Sequence, residues 1–328
     1  MNFPDFLGNE EVKSAISAAF SGGRFPHAIL LQGEPGCGKR TFARLIARAL
    51  VCREREKAPC GECPSCIRAK AGSHPDIRVV EPTGAARSLT VEAVRDVTED
   101  AARMPEEADV NVYILVMGVA PSDAAQNKLL KVIEEPPAGA VFIMVAQSAE
   151  SLLPTIRSRT QIFTLRPPAP EEAAGLVAGK AGVSAEEAVR LARICGGNVG
   201  RMLDEVQGGD AARAAQIADS IARQMLLHTG DELLKTAAVL QKDRTLCREV
   251  FVRLEMIFRD ACVMRAGGEA LLSGSFQAAE DLQRLPMRQL MALPGVVSEF
   301  QRKLDGNANM GLLLACMCAK LRETAGTH

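Results

Sequence analysis

Residues 29–41 read ILLQGEPGCGKRT: an apolar run, a glycine-rich turn, then a helix-forming segment from Arg40 to Leu50. Strand, turn and helix in that order are the context in which a G-x-x-x-x-G-K-[ST] phosphate loop is credible. The glycines let backbone N–H groups approach a phosphate, and a helix N-terminus favours an anion. Gly33, Gly36, Gly38 and Lys39 fit the loop, with Thr41 just beyond it. The position that calls for a magnesium-ligating hydroxyl carries Arg40 instead. The loop reads as shaped to hold ATP or ADP and ill equipped to hydrolyse it.

Outward from this stretch, short apolar runs alternate with amphipathic ones: AILLQ, TFARLIARALV, NVYILVM, AAQNKLLKVIEE, VFIMVAQ. Alternation of this kind predicts parallel crossover units, an α/β domain with helices covering a parallel sheet. The helix after NVYILVM is expected to start at Ser122 or Asp123, both N-cap types, and to stop before Pro136-Pro137. RPPAPEEA at 166–173 reads as a hinge. Short helices then follow, broken at Gly182 and at Cys195-Gly196-Gly197-Asn198. Beyond Gly208-Gly209 the period is helical only, with Leu246, Val250, Leu254, Ile257 and Cys262 forming one stripe to bury. LLLACMCAKL near the end is apolar nearly all round, as in a helix packed on several sides.

The 328 residues allow two or three domains at roughly 150 residues each. No apolar run approaches the roughly 18 residues of a membrane span, and the start MNFPDFLGNEEVKS has no basic-then-apolar leader, so a cytoplasmic chain is expected. A net charge of -1 excludes a chain-wide basic field, and with no Trp and one Tyr an aromatic base-stacking platform is not expected. Ten cysteines in such a chain point to metal or buried thiols rather than disulfides.

Four of the ten, Cys52, Cys60, Cys63 and Cys66, stand at spacings C-x7-C-x2-C-x2-C, with Gly61 and Pro64 as turn residues. Two thiolates at x2 spacing can meet one ion across a tight turn, and four complete a tetrahedral zinc shell. A shell closed by four protein ligands leaves no position for catalysis, so the zinc would be structural. An iron-sulfur cluster shares the opening of the pattern but not its x3-C-P continuation, and His74 is an alternative ligand. The charges of CREREK alternate, which reads as a solvated face rather than a nucleic-acid patch.

Hydrolysis at a phosphate loop also needs a carboxylate at the end of a neighbouring strand. NVYILVM ends in Val116, Met117 and Gly118; Asp109 precedes the strand, at the wrong edge of a parallel sheet, and Asp123 lies where a helix cap is needed.

Several stretches carry a family resemblance. NVYILVMGVAPSDAAQNKLLKVIEEPP resembles the strand and helix of AAA+ clamp-loader ATPases, whose strand ordinarily ends in two acids. The cysteine spacing with AGSHPD after it, LLPTIRSRT, GGNVGRML and NANMGLLLACMCAKL are similar to the delta-prime subunits of bacterial DNA polymerase III clamp loaders. These landmarks run from about residue 25 to 320. The resemblance implies an AAA+ P-loop domain over 1–166 with a zinc knuckle at about 52–66, a helical lid over 167–208, and an all-α collar over 209–328.

Aligned on Asn127, the two acids of the active members fall on Val116 and Met117, and a pair of threonines that senses the gamma-phosphate falls on Ala146 and Gln147. With Arg40, three parts of the hydrolytic machinery are replaced. The resemblance therefore implies a subunit of the DNA polymerase III holoenzyme that is not an ATPase by its own residues. Its partners would be gamma/tau and delta subunits and, through the complex, the sliding clamp and primer-template DNA. The alternative is an active gamma/tau-type or replication factor C-like ATPase. The glycine loop would persist to pack its helix on the sheet, the favoured role, or to hold a nucleotide through backbone amides and Lys39. The family's Ser-Arg-Cys motif reads Ser158-Arg159-Thr160 here. Arg159 is the implied trans arginine, a contribution worth roughly 10³ to 10⁵ in rate at the neighbour's site, with Arg157 as the lesser candidate.

Overall fold

AILLQ, NVYILV and AVFIMV form the central strands of a parallel sheet, and burial on both faces is why they read as nearly unbroken apolar runs. The computed structural model describes residues 1–82, 88–118, 121–227, 229–268, 272–306 and 308–327. It divides into a unit of Met1–Glu172 with Asn198–Gly200, and one of Ala173–Gly197 with Arg201–His328. Val119 and Ala120 of the strand-helix motif and Asn307 of the terminal one lie outside the described residues.

The first unit runs α1 (Glu10–Ser21), β1 (Ala28–Gln32), α2 (Lys39–Leu50), α3 (Pro64–Ala71), β2 (Ile77–Val80), α4 (Val91–Ala101), β3 (Asn111–Val116), α5 (Asp123–Glu134), β4 (Ala140–Val145), α6 (Pro154–Arg157) and β5 (Gln161–Thr164). The strands lie parallel in the order β2-β3-β4-β1-β5, with Leu30 beside Met144 and Ile114 beside Ile143. Alternation splits their side chains between two cores. Ile29, Leu31, Val112, Ile114 and Ile143 meet Phe3, Phe6, Phe42 and Ile46. Leu30, Tyr113, Leu115, Phe142 and Met144 meet Val94, Val97, Leu129 and Ile133 on the other face.

Ser122 caps α5 by accepting the Ala125 N–H, and Asp123 is the first helical residue. The cap role expected for Asp123 therefore belongs to its neighbour, whose hydroxyl sits at the right offset from the free N–H groups. AGSHPD, recognisable in sequence only as a landmark, has a structural purpose. Its buried Asp76 accepts the N–H groups of Glu106 (2.6 Å), Glu107 (2.9 Å) and Ala108 (2.7 Å), and so fixes the turn that leads into β3.

The second unit is helical among the described residues. After α7 (Pro170–Ala181), α8 (Ala185–Ile194) and α9 (Val199–Gln207) come α10 (Asp210–Gln224), α11 (Asp231–Ala238), α12 (Arg244–Arg265), α13 (Phe276–Leu282), α14 (Met287–Asp305) and α15 (Met310–Ala325). α12 buries Leu246, Val250, Leu254 and Ile257 as the period requires, and Cys262 only partly; Phe251 and Phe258 add a second buried ridge. α15, capped by Asn309, departs from the expectation of all-round packing. Leu313, Leu314, Met317, Cys318 and Leu321 are buried, whereas Leu312 is 67% exposed and Ala315, Cys316 and Ala319 share its exposed stripe. Among the described residues no helix is long and apolar enough to cross a membrane.

The Asp76 clasp makes a checkable demand. Asp76→Ala leaves three partly buried N–H groups without their carboxylate, and should lower the stability of the first unit by about 2 kcal/mol. A urea titration of the full chain followed by circular dichroism will show this as an earlier first transition, with Asp76→Asn falling between the two.

Candidate functional site

The glycine turn sits where β1 hands over to α2, at the carboxyl edge of the sheet. Gly33 holds φ 147° and its N–H donates to Gln147 O at 3.1 Å. A Cβ there would lie 2.3 Å from Leu165 O, and one on Gly38 (φ 88°) would lie 2.9 Å from the Phe6 ring. Lys39 closes the loop on itself: its ammonium donates to Gly33 O and Glu34 O, both at 2.7 Å. Burial lowers the Lys39 pKa and raises that of the neighbouring Cys37 thiol. Asn198–Gly200, which belong to the same unit, complete the turn. Asn198 Nδ2 donates to Pro35 O (2.8 Å) and Gly200 N to Gly36 O (3.0 Å). Thr41 is exposed, and Arg40 pairs with Glu81 at 3.1 Å, a partner that sequence spacing did not announce.

Along the same edge, Val116 and Met117 are buried, as is Ala146 at the end of β4. Met117 and Ala146 belong to the apolar core beneath the sheet. This edge of the sheet therefore presents hydrocarbon at Val116, Met117 and Ala146, followed by the exposed amide of Gln147.

The four cysteines converge. Their Sγ atoms all lie within 4.8 Å of one another, and Cys60 and Cys66 are 3.9 Å apart. Cys52 follows α2, and Cys63 caps α3 through its sulfur, with Pro64 as the first helical residue. Backbone N–H groups of Cys60, Cys63 and Cys66 point at the sulfurs of Cys52, Cys60 and Cys63 at 3.4–3.5 Å. Burial pushes the Cys52 thiol up to about 12 and raises Cys66, against which the Arg48 side chain pulls down. The backbone N–H of Cys63, then that of Glu62, brings Cys60 down to about 6. Sulfurs this close suit a tetrahedral ion with bonds of about 2.3 Å, so the quartet could bind a metal such as zinc. His74 takes no part: its Nδ1 accepts the Asp76 N–H at 3.2 Å, and it stands outside the quartet.

Ser158 and Arg159 follow α6. Arg159 is exposed, reaching Glu134 Oε1 at 2.9 Å, Thr155 O at 3.1 Å and Ser158 Oγ at 3.3 Å. Arg157 is turned inward, and its Nε is buried with no partner among the described residues. Glu134, missed as a functional residue, was visible as the first acid of EEPP; only its distance to Arg159 reveals the pairing.

A parallel sheet with a glycine loop between strand and helix, and a cysteine quartet beyond that helix, is the arrangement that the clamp-loader resemblance leads one to expect. A family model described as DNA polymerase III, delta subunit matches residues 8–169. DNA polymerase III subunit delta' of Escherichia coli (strain K12) is 31% identical over 208 residues, 63% of this chain and 62% of that one. The delta' subunit of Bacillus subtilis (strain 168) is 25% identical over 92% of each. DNA polymerase III subunit gamma/tau of Mycobacterium bovis (strain ATCC BAA-935 / AF2122/97) is 29% identical over 98% of this chain, which spans 61% of that relative's length. By the family model and these relatives the chain is similar to the clamp-loader subunits of DNA polymerase III, delta-prime members among them.

The quartet yields a direct test. In the metal-free chain at pH 7, Cys60 is the sulfur that is already thiolate, so it should be the first of the four alkylated by iodoacetamide. Peptide mass spectrometry will rank the sites, and metal loading should protect all four together.

Proposed function

We propose that this chain is a delta-prime-type clamp-loader subunit that hydrolyses no ATP itself, assembles with gamma/tau and delta subunits, and lends Arg159 to a neighbour's site. In that role it contributes, through the complex, to loading the sliding clamp on primer-template DNA in the cytoplasm. One observation carries the reading. Val116 and Met117 are buried in hydrocarbon where a magnesium-dependent ATPase needs its acids. Lys39, occupied by two carbonyls of its own loop, supports a packing role for Gly33, Gly36, Gly38, Lys39 and Thr41 over a nucleotide-binding one.

Zinc at Cys52, Cys60, Cys63 and Cys66 would tie α3 to the end of α2 and supply no chemistry. Residues 167–208 would act as the lid and 209–328 as the collar. The exposed stripe of Leu312, Ala315, Cys316 and Ala319 on α15 supports a collar that meets partner helices. A second reading, an active gamma/tau-type ATPase, is favoured by the match to the gamma/tau relative over 98% of this chain. The apolar sheet edge speaks against it.

Two outcomes follow. The purified chain should turn over no ATP above background, and Lys39→Ala should leave that background unchanged in a coupled phosphate-release assay; turnover abolished by Lys39→Ala would favour the second reading. Arg159→Ala should leave folding and complex assembly intact while lowering the DNA- and clamp-stimulated ATPase of the reconstituted complex. The loss at the served site is on the order of 10³ or more, diluted in the total by the other subunits' sites. Arg159→Lys should restore little, because an ammonium lacks the planar fork.

A further inference from the structure

Arg48 lies in the last turn of α2, at the point where the helix meets the cysteine quartet. Its Nη2 stands 2.9 Å from the place a Cβ on Gly61 would take, so the guanidinium fills the gap that this glycine leaves in C-G-E-C. Its main-chain carbonyl is 3.9 Å from Cys66 Sγ, which places the residue directly against the quartet. The Nε is buried and has no partner among the described residues, and no carboxylate there forms an ion pair with this arginine. A half-buried guanidinium without an acid is costly. A metal-free quartet, with one thiolate at most, offsets little of that cost, whereas four thiolates around one divalent ion carry a net charge of about −2 and do.

We infer that Arg48 is the counter-ion of the metal–tetrathiolate group, holding the bound metal through charge and hydrogen bonding from outside the ligand shell. This rests on the reading of the quartet as a zinc knuckle. The bland account of Arg48, a cation at a helix C-terminus, is satisfied by a side chain extended into water. It does not require the guanidinium to enter the gap at Gly61. Gly61 holds φ 84°, so its place in the knuckle has two reasons: a left-handed turn and room for Arg48.

The test uses the full chain loaded with zinc and a colorimetric chelator that reports released ion. Arg48→Met, which keeps the stem and removes the charge, should lose zinc about 10- to 100-fold faster, the range found when partners outside a metal's ligand set are removed. Arg48→Lys should recover part of the difference. Thermal unfolding of the metal-free Arg48→Met chain should come at or above that of the unaltered chain, because without the tetrathiolate the burial of the guanidinium is not offset. Bound zinc with an unaltered release rate in Arg48→Met overturns the inference alone. Equal destabilisation with and without metal also overturns it, in favour of simple packing. Absence of zinc from the unaltered chain, purified without chelator and supplied with the ion, overturns the knuckle reading together with it.

Discussion

The first unit depends on how closely its backbone can approach itself at Gly33. With a Cβ there destined to lie 2.3 Å from Leu165 O, a glycine is what lets the loop pass beneath the segment after β5 while its N–H reaches Gln147. Gly38 makes the same allowance for the Phe6 ring, which stacks on Phe42 at 4.6 Å between centroids. These two approaches seat α2 on the sheet, and only then can Phe42, Ala43, Ile46 and Ala47 be buried. The phosphate-loop shape is thus required by packing before any phosphate is considered. The glycines are therefore needed whether or not a nucleotide binds.

The apolar sheet edge has its own physical logic. Carboxylates at the ends of adjacent strands repel one another and are tolerable in a half-buried edge when a divalent ion stands between them. Once no ion is held, hydrocarbon at Val116, Met117 and Ala146 is the more stable occupant. Lys39 follows the same rule from the cationic side. A partly buried ammonium needs oxygen around it, and two loop carbonyls at 2.7 Å supply it. Arg40 and Glu81, each about half exposed, form a surface pair of little consequence for stability.

What could be read from the sequence divides along the range of the forces involved. The central strands were legible because burial on both faces leaves an apolar run. β2 and β5 were not, since each is four residues long, lies at a sheet edge and leaves several side chains in solvent. The cysteine quartet was legible because tight-turn spacing is a local property. Its neighbour Arg48 was not, because α2 and the knuckle meet through space. For α15, composition told how much apolar surface the helix has. It could not tell that Leu312 and Cys316 would remain uncovered by the chain's own helices. The proposed ligands and the proposed trans arginine came from motifs, and motifs name residues without naming what holds them.

Arg159 illustrates what the structure adds to such a motif. Glu134 and Arg159 pair at 2.9 Å with side chains 39% and 43% exposed. An ion pair that wet is worth 1 kcal/mol or less. Thr155 O and Ser158 Oγ orient the guanidinium from the other side, again through exposed contacts. The arginine is therefore held in one direction without being trapped. On the proposed reading this is the combination a donated arginine needs: its rotamer is set before assembly, so little entropy is lost on docking. A carboxylate at the surface then gives way at small cost to the denser charge of a neighbour's phosphate. Arg157 differs from it, being half-buried with an Nε that has no partner among the described residues.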